Sequence, residues 1–165
     1  MRLAVVPITA IGVDQDTMNR VVMDFMRDSG VKYVITPLTP GLGMASAYAA
    51  THLDLSLTTY CTYGQDYPWS DEDRKNYHGL STCANDHYWI GQLPDDGGFT
   101  FREEFCQAVA CMSYCDAILT CWDGNPDPRI PTLQWLTGNR PVKNIYEDIV
   151  SAYRWVTPVQ GLVQV

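Results

Sequence analysis

The chain has 165 residues, 46% of them hydrophobic and 18% charged, which suits one folded domain with a real core and excludes a disordered chain. Its formal net charge is −8, with 11 Lys and Arg against 19 Asp and Glu, so it lacks the basic surface that neutralises nucleic-acid phosphates. No apolar run approaches the roughly 20 residues of a membrane helix, so neither nucleic acid nor membrane is an expected partner.

In chain order, residues 3–9 read as a buried first strand. The apolar start is short, has no small-residue cleavage site and runs into Asp14 and Asp16, so it is not read as a signal peptide. Asp14 or Asp16 is expected to cap a helix to about residue 28, in which Met18, Val21, Val22, Phe25 and Met26 recur at helical spacing. Ser29-Gly30 ends it. A second strand is predicted over 33–36, a second helix over 43–52 and a third strand over 56–63. After a turn-rich link (64–69), Ser70-Asp71-Glu72-Asp73 has the acidic signature of a helix start, and that helix should run to about residue 84. A short strand follows at 87–93 and a helix at 100–114, with Glu103 three residues after Thr100 as in a capping box. A buried strand at 117–122, a Pro-rich loop at 126–131, a short helix at 132–136, a strand at 142–146 and a terminal helix at 148–156 complete the chain.

Strands alternating with helices of ten to fifteen residues predict an α/β fold, a three-layer sandwich around a mostly parallel central sheet, in a single domain over 1–156. Residues 157–165, TPVQGLVQV, form an apolar tail expected to dock on the core or on a neighbouring subunit. With the high aromatic content, that tail makes a homo-oligomer the expectation. The six cysteines contain no Cys-x-x-Cys pair. Cys111 and Cys115 are spaced i, i+4 but have no His at ligand spacing, so the cysteines read as buried reduced thiols, in keeping with a cytoplasmic location.

Residues 32–50, KYVITPLTPGLGMASAYAA, carry the chief functional signal. A strand enters a Gly-rich loop that feeds a helix. That arrangement gathers free backbone N–H groups at a helix N-terminus, a point that attracts anionic groups. In a parallel sheet, ligands bind where the carboxyl ends of the strands open at a topological switch point. The loops at those ends are 9–13, 37–43, 63–69 and 123–131. The candidate ligand-binding residues are therefore Thr9, Thr39, Pro40, Gly41, Gly43 and Ser46 for an anionic group, Tyr63, Trp69 and Trp122 for stacking on a base, Gln65, Asp123 and Gly124 for base or ribose edges, and Arg102 and Arg129 for a phosphate. Each also has an ordinary structural use, as core aromatic, turn residue or surface ion pair. His52, His78 and His87 are scattered without metal-binding or triad spacing, so no metal and no cofactor is expected. The carboxylates of Asp71, Glu72 and Asp73 read as helix-start charge.

Four strings in order, PLTPGLGMASAYAA, TYGQDYPWSDEDRKNY, FTFREEFCQAVACMSYCDAIL and CWDG, resemble the YpsA-like branch of the SLOG superfamily. These are Rossmann-like domains related to the LOG nucleotide phosphoribohydrolases, DprA and the ligand-sensing module of TRPM channels. The resemblance spans most of residues 1–146 and implies a pocket for a nucleotide or nucleotide-derived ligand above the sheet. The chain departs from the family in three places. Ser46 stands where the family places an Asp before the Ala-Ala pair. Residues 125–132, NPDPRIPT, replace a Gly-Gly-Thr anion loop, and no Glu in 44–50 matches the catalytic Glu of the LOG enzymes. These departures weaken catalysis more than binding.

The first functional expectation is thus a non-catalytic sensor or sequestering protein for a nucleotide-derived small molecule. If the chain is phage-encoded, sequestering a signalling nucleotide of host defence is a natural role by analogy with the fold. The alternative is an N-glycosidic-bond hydrolase of the phosphoribohydrolase type, in which Asp123, Asp66 or Asp71 supplies the carboxylate. A third reading is a protein-interaction domain with a vestigial pocket.

Overall fold

Strand and helix in this chain are separated by period. Along Arg2–Pro7 (β1), Leu3 and Val5 face one side of the sheet while Ala4 and Val6 face the other, and all four are buried. In Ala117–Cys121 (β5), Ala117, Leu119 and Cys121 take one side and Ile118 the other. Side chains alternate across a strand, so a strand that is apolar at every position must be covered on both faces.

The computed structural model describes residues 1–61, 69–89, 114–127, 129–138 and 140–156. It is an α/β domain with a six-stranded, all-parallel sheet flanked by helices. The other strands are Tyr33–Pro37 (β2), Ser56–Cys61 (β3), Asp86–Trp89 (β4) and Val142–Asn144 (β6), in the spatial order β4-β3-β2-β1-β5-β6. The chain steps outward from β1 to β4, then returns to the far side of β1 to lay down β5 and β6. The topological switch therefore lies between β1 and β5.

Gln15–Ser29 (α1), Leu42–His52 (α2), Asp71–Cys83 (α3) and the terminal helix Tyr146–Val156 share one face. Met18, Val22 and Met26 of α1 pack there with Met44, Ala45 and Ala49 of α2, Tyr77 of α3 and Ile149 of the terminal helix. On the opposite face, Ile130 and Leu133 of Arg129–Thr137 (α4) cover Ala4, Val6 and Ile118. The terminal helix is α5.

Two helix starts differ from expectation. The run assigned to a Pro-rich loop enters α4 at Arg129, because the Asp127 carboxylate accepts the Arg129 N–H at 2.9 Å and Pro131 sits in the first turn, where no helical N–H donor is required. The last strand stops at Asn144, whose Oδ1 accepts the Tyr146 N–H at 3.2 Å and so starts α5 two residues early. The predicted ends of β3 and β4, all of the helix predicted over 100–114 except Tyr114, which stands in a turn, the tail at 157–165 and Cys106 and Cys111 lie outside the described residues. Among the described cysteines, Cys115 and Cys121 are buried and free, whereas Cys83 is exposed, since it ends α3 on the solvent side. Among the described residues, no helix is long and apolar enough to cross a membrane.

Candidate functional site

Three consecutive strand ends, each feeding a helix on the same face, leave a hollow above the sheet. The loop after β1, the loop between β2 and α2, the end of β3 at Tyr60 and the first turns of α1 and α3 enclose a cavity of about 730 Å³. Cys121 at the end of β5 and Arg129 at the start of α4 close it beyond the switch point. Its apolar lining comes from Ile8, Ile11, Val13, Met18 and Leu42. Its polar lining comes from Thr9, Thr39, Gln15, Asn76, Ser70 and the acidic residues Asp14, Asp16, Glu72 and Asp73. The size lies within the range of roughly 300–1,000 Å³ typical of small-molecule sites.

Besides the start of α4 at Arg129, the N-termini of α1, α2 and α3 meet this cavity, and they are satisfied differently. Asp14 caps α1, accepting the Thr17 N–H at 2.9 Å and the Thr17 hydroxyl at 2.7 Å. Those bonds to Thr17, the side-chain one foremost, hold the Asp14 carboxyl below its ordinary pKa. Ser70 caps α3 by accepting the Asp73 N–H at 3.1 Å. Helix α2 starts at Gly41 with no side-chain cap. Gly41 has φ +94° and ψ −130°, a conformation that side chains strain to adopt. Its backbone is gripped from α1: the Gln15 Oε1 accepts the Gly41 N–H and the Gln15 Nε2 donates to the Gly41 carbonyl, each at 3.0 Å.

Of the residues singled out from sequence, Thr9, Thr39, Pro40, Gly41 and Arg129 converge on the cavity. Arg129 does so while donating to the Ile8 carbonyl at 2.7 Å and to both Asp127 oxygens, at 3.0 and 2.9 Å. That pairing also lowers the Asp127 pKa. The Thr9 hydroxyl accepts the Asp123 N–H at 3.1 Å, joining the loop after β1 to the end of β5.

The chain matches no protein-family model and no curated protein.

Several other candidates sit elsewhere. Gly43 does not line the cavity. It lets α2 approach β2, since a Cβ there would meet the Pro37 carbonyl oxygen at 2.3 Å and the Thr39 Oγ1 at 2.9 Å. Ser46 is fully buried inside α2, its hydroxyl donating to the Leu42 carbonyl at 2.8 Å. Trp69 is buried against Tyr77, with ring centroids 5.1 Å apart. Trp122 packs on the α4 face, and its Nε1 donates to the Asn125 carbonyl at 2.8 Å. The Asp123 carboxylate accepts from the Asn125 N–H and Nδ2, both at 2.9 Å, within the turn completed by Gly124 at φ +88°. Tyr63, Gln65, Asp66 and Arg102 lie outside the described residues.

The Cys121 thiol also lines the cavity. Burial, helped by the Asp123 charge, pushes its pKa up to about 12, so it stays protonated at neutral pH. Among the described residues, no group of His, Cys, Asp and Glu is placed to hold a metal ion.

Sequence reading missed Gln15, Asn76 and Tyr60 as parts of the site. Gln15 follows its capping Asp inside an amphipathic helix, so its local pattern announces a helix start and nothing about the loop that it grips 26 residues away.

Proposed function

We propose that this protein binds a nucleotide or nucleotide-derived small molecule at the carboxyl ends of its parallel strands, and that it acts as a sensor or sequestering protein without turning the ligand over. The observation that carries this reading is the cavity of about 730 Å³ at that end of the sheet, bordering the switch point and the uncapped start of α2. The chain's resemblance to the YpsA-like branch of the SLOG superfamily supports the same ligand class. Non-catalytic binding fits the groups present. The Cys121 thiol is held protonated, and of the carboxylates that a hydrolase reading would use, Asp123, which is bonded to Asn125, and Asp71 do not line the cavity, while Asp66 lies outside the described residues.

The test is a thermal-shift panel of nucleosides, nucleotides and dinucleotides on the wild type and on Ala10→Trp, which places an indole in the cavity wall. Ligand at about 100 times its Kd stabilises the folded state by about 2.7 kcal/mol, so at least one compound should raise Tm by several degrees in the wild type and not in Ala10→Trp. A panel with no shift in the wild type contradicts the proposal.

A further inference from the structure

Ligand class can be read from how the cavity spends its charges. Among the described residues, three devices that could hold a phosphate are already engaged within the chain. The Gly41 N–H, at the centre of the Gly-rich loop, is taken by the Gln15 Oε1 at 3.0 Å. The Arg129 guanidinium is spread over both Asp127 oxygens and the Ile8 carbonyl. The first turns of α1 and α3 are capped by Asp14 and Ser70. What remains at α2 is a first turn without a side-chain cap, worth roughly half a unit of positive charge. Against it, the same cavity is lined by Asp16, Glu72 and Asp73, whose carboxylates form no ion pair among the described residues, within a chain of net charge −8.

A phosphate brought into this space meets like charge from the α1 and α3 sides and must displace existing bonds to gain donors. A nucleoside meets the reverse. Carboxylates accept from ribose hydroxyls and from the amino and ring N–H groups of bases, Asn76 and Thr39 offer both donors and acceptors, and the open turn of α2 can donate to a base carbonyl. We infer that the cavity selects the uncharged nucleoside part of its ligand and disfavours the phosphates. This rests on the binding function proposed above and narrows its ligand class.

The test is isothermal titration of the full chain, in EDTA and then in magnesium, with adenosine, AMP and ATP and with guanosine, GMP and GTP. Each is run at about 0.01 M and about 1 M salt, where the Debye length falls from about 30 Å to about 3 Å. At low salt one nucleoside should bind about tenfold tighter than its triphosphate, and the gap should close at high salt as repulsion is screened. The double variant Glu72→Gln/Asp73→Asn, checked for folding by circular dichroism, should narrow the gap at low salt. A triphosphate that binds more tightly than its nucleoside, with or without magnesium, overturns the inference while the binding function stands. So does a gap that the double variant leaves unchanged. If none of the six compounds binds, the inference falls, and the binding function is decided by the wider thermal-shift panel.

Discussion

Gly41 and Gly43 stand two residues apart and answer to different constraints. Gly41 is fixed by its backbone, with φ +94° and only Met18 near a hypothetical Cβ, at 3.9 Å. Gly43 is fixed by space, with a backbone carbonyl 2.3 Å from where a Cβ would stand. Gly41→Ala should therefore destabilise the fold by about 1–3 kcal/mol through strain. Gly43→Ala should cost at least as much, because the obstacle is the β2 backbone and α2 must shift off the sheet to make room. Urea denaturation midpoints check both values. A Gly43→Ala protein as stable as wild type would contradict the close packing of α2 on β2. The glycine spacing was legible in the sequence, but the division of labour was not. A G-x-G string looks the same whether the second glycine serves a ligand or a helix–strand contact. Ser46 shows the same ambiguity: a small polar residue early in a helix reads as a ligand contact until its hydroxyl is found bonded one turn back.

At the scale of elements, the edge strand β4 is tied to the rest of the fold through His87. Its Nδ1 lies 2.6 Å from the Thr59 hydroxyl of β3 and its Nε2 lies 2.9 Å from the Tyr77 hydroxyl of α3. Both partners are hydroxyls, so either neutral tautomer is satisfied. Much of the residue is exposed, yet partial burial of the ring lowers its pKa below 6.5. The folded state therefore prefers neutral His87, and the unfolded chain binds the proton first as pH falls. The stabilising contribution is complete above about pH 6.5 and declines as pH drops below it toward the lower folded value. Denaturation at a series of pH values should show that decline in the wild type and a flatter profile in His87→Gln. Equal profiles would show that the ring is not held neutral. Element types and order were legible because the central strands β1, β2, β3 and β5 carry buried apolar residues and the two longest helices carry their own caps, Asp14 for α1 and Ser70 for α3. The starts of α4 and α5 were not. Each is set by a single Asx side chain, Asp127 or Asn144, whose bond competes with the Pro-rich or extended reading of the neighbouring sequence.

Over the whole molecule, the strand order does what no single motif does. Four outward steps and one return bring the loop after β1, the Gly-rich loop, the start of α3 and Arg129 around one cavity. A parallel α/β sheet and the use of its carboxyl end could be read from the alternation of elements. The acidic character of the cavity could not, since Asp16, Glu72 and Asp73 look like ordinary first-turn charges until the helices that they start are seen to open onto the same space. The central claim is that this space holds a nucleotide-derived small molecule. The most direct check is mass spectrometry of compounds released by denaturing the freshly purified protein, compared with the cavity-blocked Ala10→Trp. A nucleoside-containing compound, released intact and near stoichiometric from the wild type and absent from the variant, is the predicted result. A wild-type protein that releases nothing, and that shows no thermal shift across the nucleoside and nucleotide panel, would contradict the claim.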